Sequence, residues 1–185
     1  VNVLGGNDVT LNDVNSITLG GVNITGKLNV TAADDISLNG VVNVASLDLQ
    51  ATLGDITQGA SSTLTVTAGP TDLKAGDDIT LDKANDFNGA VNVISADAVT
   101  LNDVNSIMLG NVNITGKLDV TAGTDIALNG VVNVASLDLQ ATAGDITQGA
   151  SSTLTVSAGP TDLKAGDDIT LDKANDFVGT VNVLG

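Results

Sequence analysis

The sequence predicts an all-β protein: a right-handed parallel β-helix, or β-solenoid, with three short strands per coil and about eight coils. Three observations carry that expectation. Residues 1–90 recur as residues 91–180 with only 15 differences. Inside each 90 a short apolar-polar-apolar motif keeps returning. The composition, finally, suits strands and turns and little else.

The composition is biased well away from that of ordinary globular domains. The 185 residues contain no Cys, His, Trp, Tyr, Arg or Glu, so all 22 acidic groups are Asp and all six basic groups are Lys. Val, Ile, Thr, Asn, Asp and Gly dominate, which disfavours helix and favours strands joined by tight turns. Phe87 and Phe177 are the only aromatics. A core built from this set is thin and filled by branched aliphatics.

The finer repeat begins with Val22-Asn23-Ile24, Val42-Asn43-Val44, Leu64-Thr65-Val66 and Val91-Asn92-Val93, in steps of 20, 22 and 27 residues; 21 more reach Val112-Asn113-Ile114. A second apolar pair follows in each unit (Leu28/Val30, Leu47/Leu49, Leu73/Ala75, Val99/Leu101). A third closes it (Ile36/Leu38, Ile56/Gln58, Ile79/Leu81, Ile107/Leu109). Each unit therefore reads as three short strands of period two. Three such strands bury nothing alone. Coiled with one unit per turn, each pairs in parallel with its counterparts about 4.8 Å above and below. The expected organisation is a first repeat of four coils (1–90), a second of four coils (91–180) and the start of a further coil (181–185).

An immunoglobulin-like sandwich also spans about 90 residues, but it has no reason to divide into equivalent three-strand units. Unequal coil lengths argue against a left-handed hexapeptide helix. Asn39-Gly40, Gly54-Asp55, Gly69-Pro70 and Gly76-Asp77 fall where corners are needed, and are expected to supply special backbone conformations there. Both ends of the chain sit at the same phase of the motif, at Val1-Asn2-Val3 and Val181-Asn182-Val183. That implies an excerpt from a longer shaft, or copies stacked end to end.

A net charge of −16 leaves no basic footprint for nucleic acid. No apolar run reaches the roughly 18 residues of a membrane helix. Neither nucleic acid nor membrane insertion is expected, and cations are the natural partners. The absence of His, Cys and Arg closes most nucleophilic and metal-assisted schemes, and every Asp constellation comes twice, unlike a single catalytic cleft. The chain is expected to be no enzyme.

The 27-residue step contains Asp77, Asp78, Asp82, Asn85 and Asp86, and its twin contains Asp167, Asp168, Asp172, Asn175 and Asp176. Calcium takes six to eight oxygen ligands, and several of these side chains fall where they can converge at one corner, so the aspartates of this tract are candidate calcium ligands. The plainer reading makes them corner residues, with Lys83 and Lys173 offsetting charge. Phe87 and Phe177 would plug the excursion where it re-enters the coil. The Asn23-Ile24-Thr25, Asn29-Val30-Thr31 and Asn113-Ile114-Thr115 sequons are by-products of the alternation.

The tract Ala75-Gly76-Asp77-Asp78-Ile79-Thr80-Leu81-Asp82-Lys83-Ala84-Asn85-Asp86-Phe87, with Ser62–Gly69 (STLTVTAG) and Gly54-Asp55-Ile56-Thr57-Gln58, resembles the repeats of filamentous-haemagglutinin-like exoproteins. The resemblance covers essentially the whole chain. It implies a very large protein exported through an outer-membrane partner channel, with this chain as part of its shaft at the bacterial surface. Adhesion to host or neighbouring cells, or aggregation, is the implied role. The alternatives kept open are a binding module using the acidic loops, and a filament former stacking end to end.

Overall fold

The computed structural model describes residues 1–184. Among them are 25 β-strands and no helix, and every strand pairing is parallel. The chain winds as a β-solenoid with three faces.

On face three the stacked positions are Ile17, Ile36, Ile56, Ile79, Val99, Leu118, Leu137, Thr161 and Val181. Those nine positions are separated by eight steps of 19 to 24 residues, and the stack makes about nine turns. Face one starts with Val3, Val22, Val42 and Leu64 and reaches Phe87 through its pairing with Val66. Face two carries Val9, Leu28, Leu47, Thr71 and Val91 in register.

The period-two alternation sets which side chains enter the core. In Lys27–Ala32 the residues Leu28, Val30 and Ala32 are fully buried, while Lys27, Asn29 and Thr31 point outward. Burying a Leu or Val side chain contributes about 1.5–3 kcal/mol. Equivalent residues stand on one another coil after coil, giving one continuous aliphatic core. A slip of one residue would turn it out into water.

The stack of about nine turns is close to the roughly eight coils expected, and the small excess lies in the 27-residue step. It is not an excursion. The tract Ile79–Phe87 is one unbroken strand that crosses two faces. Its start pairs with Ile56-Thr57 on face three and its end, Asp86-Phe87, with Thr65-Val66 on face one. Val91-Asn92-Val93 consequently stacks on Thr71-Asp72-Leu73 of face two, and not above Leu64-Thr65-Val66 as the motif alone suggests.

The twelve strands from Val3–Leu4 to Ile79–Phe87, the last counted on both its faces, make thirteen segments per repeat. Thirteen is four coils plus one face. The second repeat is therefore turned by a third of a revolution relative to the first. Val22 stacks on Val42 on face one, whereas its counterpart Val112 sits on face two, between Val93 and Val132.

The corner glycines serve a different end from the one expected. Among the described residues positive φ occurs only at Gly5 and Gly6. At Gly40 and Gly130 the requirement is close approach: a Cβ there would run into the backbone of Gly20 and Gly110 in the coil before.

Candidate functional site

In the first repeat the candidate calcium ligands lie on or beside one extended strand, and in the second the same tract is strand only at Ile169–Thr170 and Asp176–Phe177. Asp78 belongs to a ladder of aspartates at one corner. The Asp55 N–H donates to Asp35 Oδ1 at 3.0 Å, Asp78 N–H to Asp55 Oδ1 at 2.9 Å and Ala98 N–H to Asp78 Oδ1 at 2.9 Å. Asp168 extends the twin ladder, its N–H donating to Asp145 Oδ1 at 2.8 Å, as Asp145 does to Asp125 at 3.0 Å. The carboxylates of Asp35, Asp55, Asp78, Asp125 and Asp145 each satisfy a corner N–H of the next coil.

Asp82 pairs with Lys83 at 2.9 Å and Asp172 with Lys173 at 2.6 Å, and the Lys173 ammonium holds the exposed Asp172 carboxyl below its ordinary value. Asp86 accepts from the Asn88 amide at 3.0 Å, while Asp176 lies in the ladder opposite Thr155. Asp77 and Asp167 are exposed, with their backbone N–H groups on Gly54 and Gly144. Among the described residues no three acidic side chains gather closely enough to hold a metal ion.

Asn85 is fully buried and belongs to the interior. Gln58 Nε2 donates to Asn85 Oδ1 at 2.8 Å and Asn85 Nδ2 returns a bond to Gln58 Oε1 at 2.9 Å, with a second to the Leu81 carbonyl at 2.9 Å. This clasp pins the bend where Ile79–Phe87 passes from face three to face one, and Gln148 with Asn175 repeats it. Phe87 is a core residue stacked on Val66 and closes no loop. Phe177 stacks likewise on Val156 and is half-buried.

The one interruption in the three columns lies where the repeats meet. Because the second repeat is turned by a face, each column changes strand type there. Face three passes from Ile79-Thr80-Leu81 to Val99-Thr100-Leu101 in register. Face two passes from Val93 to Val112 with a shift of register. On face one no ladder joins Asp86-Phe87 to Ile107–Leu109; the latter pairs instead with Ala90-Val91, further along the chain.

Asp103 mends part of the break. Its carboxylate is buried and accepts the Phe87 N–H at 2.8 Å and the Asn105 N–H at 2.7 Å. Burial raises its pKa above the ordinary carboxylate value, against the two backbone N–H groups that lower it; the charge of Asp86 also raises it. Outward of the break the surface steps in, leaving a cleft of about 620 Å3 between Asp86, Asn88 and Gly89 on one side and Ser106, Met108 and Asp125 on the other.

Asp103 carries no mark in the sequence, and Gln58 enters there only as the strand partner of Ile56. A signal for the clasp was present, since Ile79, Leu81, Asn85 and Phe87 fall on one parity, the mark of a continuous strand with a polar residue turned inward. Nothing local to Leu101-Asn102-Asp103 marks the carboxylate, whose role comes from the coil before it.

No curated protein and no solved structure matches the chain. One family matches four times, over residues 6–51, 39–94, 96–138 and 129–184. The last two matches begin 90 residues after the first two, so the family unit recurs about twice in each long repeat. With nearly the whole stack covered, the chain belongs to the family described as repeats of unknown function (DUF5649).

Proposed function

We propose that this chain is a spacer, a non-catalytic stretch of shaft in a secreted bacterial surface protein of the filamentous-haemagglutinin kind, which carries an adhesive region away from the cell. The observation behind this reading is the continuity of the stack. From Val3 to Val183 each coil rests on the one before, with no inserted module and one shared core. Such a quasi-one-dimensional array suits length and stiffness.

The chemistry agrees with that reading. Without His, Cys, Arg or Glu the side chains offer few groups for acid–base or nucleophilic work, and several of the aspartates are engaged in corner ladders or in ion pairs with lysine. The test uses the producing cells. Antibodies raised against this chain should label projections outside the envelope in electron microscopy. Removal of one 90-residue repeat should shorten those projections by about 21 Å, four and a third coils at about 4.8 Å each. Labelling confined to the cell interior, or sugar-polymer turnover lost on changing a single Asp, would overturn the proposal.

A further inference from the structure

The cleft at the repeat junction combines a broken ladder, carboxylates and an exposed apolar side chain. It exists because the face-one ladder fails between Phe87 and Ile107. Its lining includes the carboxylates of Asp86, Asp125 and Asp145 and no lysine. None of the three takes part in an ion pair among the described residues. On a protein of net charge −16, this is a pocket of uncompensated negative charge.

Its floor differs from the same surface one repeat earlier. Thr18 and Ser37 point outward from the first repeat, whereas their counterparts Met108 and Ala127 line the cleft. Two of the 15 differences between the repeats thus replace hydroxyls by apolar groups on the cleft floor. Met108 is 42% exposed, an unbranched thioether that adapts to whatever lies on it.

A lining that sets Met108 and Ala127 beside three aspartates fits a long methylene chain ending in a cation. Such a group lays its stem on apolar surface while its charged head keeps to the polar rim. We propose that the junction cleft binds a lysine side chain presented by an extended segment of a partner protein. The stem rests on Met108 and Ala127, and the ammonium is held by Asp86 on one side and Asp125 on the other. This goes beyond a spacer role and does not depend on it.

The test is a titration of the isotope-labelled 185-residue chain, followed by amide chemical shifts. Three probes are used: a blocked Gly-Lys-Gly peptide, the same peptide with an acetylated lysine, and putrescine. The expected result is saturable shifts at Phe87, Asn88, Ser106, Met108 and Ala127 with the lysine peptide, and none with the acetylated one. Asp86→Asn and Asp125→Asn should each weaken binding about two- to fivefold, the range of a partly exposed ion pair. Asp125→Asn keeps an oxygen for the Asp145 N–H. Met108→Thr restores the first repeat's residue, so it folds, and it should weaken binding without changing the charge.

Shifts spread equally over Asp35, Asp55 and Asp78, and unmoved by these substitutions, would overturn the proposal in favour of diffuse attraction. Putrescine binding as tightly as the lysine peptide would overturn the assignment to a protein segment.

Discussion

The side-chain amides of Gln58 and Asn85 close a ring of two hydrogen bonds, at 2.8 and 2.9 Å, across the gap between neighbouring coils. Asn85 is fully buried there, so its polar atoms have no recourse to water. Replacing Asn85 with Leu strands the Gln58 amide and removes the bond to the Leu81 carbonyl. Leaving buried polar groups unpaired costs about 1–3 kcal/mol. Thermal unfolding of Asn85→Leu should show that loss, and Asn175→Leu a smaller one, because Asn175 is only half-buried. Equal effects at the two positions would contradict the account of the clasp.

The three-strand unit, the parallel stacking and the inward set were all legible from Val22, Leu28, Ile36 and their successors, because period-two alternation leaves one choice of face. The extra face in each repeat was not. It turned on the run from Asp82 to Phe87, where four polar residues read as a loop, and where the inward Asn85 broke the aliphatic pattern. A buried polar residue looks like a surface one until its partner, Gln58, is seen 27 residues away. The one-face turn between repeats, the failed ladder at Phe87 and the role of Asp103 all follow from that one extra strand. They belong to the stacking and leave no local trace.

Asp103 gives the fold a pH dependence of definite sign. Burial raises its pKa in the folded chain, so the folded state binds the proton more tightly than the unfolded chain. Its contribution is complete below the ordinary carboxylate pKa and is lost as pH rises through the raised value. Acidification from neutral pH into that window should therefore raise the melting temperature. Relief of repulsion within a chain of net charge −16 acts in the same direction. Asp103→Asn keeps the acceptor for one backbone N–H and abolishes the titration, so the rise should be smaller in the variant. Asp13→Asn, its counterpart at an exposed end of the stack, serves as the control. Parallel pH profiles for wild type and Asp103→Asn would refute the assignment.

A corner glycine and an outward serine should differ sharply in how well they tolerate replacement by alanine. A Cβ at Gly40 meets the backbone of Gly20, and backbone atoms held in a ladder have little room to give. Gly40→Ala should lower stability by about 1–3 kcal/mol, the usual cost of overpacking. Ser37→Ala, three positions earlier, installs the residue already present at Ala127 and should fall within about 0.5 kcal/mol of wild type. Chemical denaturation of the two variants side by side checks the contrast. A neutral Gly40→Ala would mean that successive corners are not in contact.

Divalent cations supply the last test, because the aspartates are spread along ladders and not gathered round a centre. Asp35, Asp55 and Asp78 each give one oxygen to a backbone N–H of the next coil, and among the described residues no acidic trio converges. A specific calcium site would supply six to eight oxygens and discriminate against magnesium, which is smaller and keeps its waters. A row of separate carboxylates gives only screening of their mutual repulsion, which depends on ionic strength. Calcium and magnesium at equal ionic strength should thus raise the melting temperature equally, with no saturation at low concentration. Saturable stabilisation by calcium alone, lost in Asp78→Asn, would show that the strand from Ile79 to Phe87 rearranges round a metal ion.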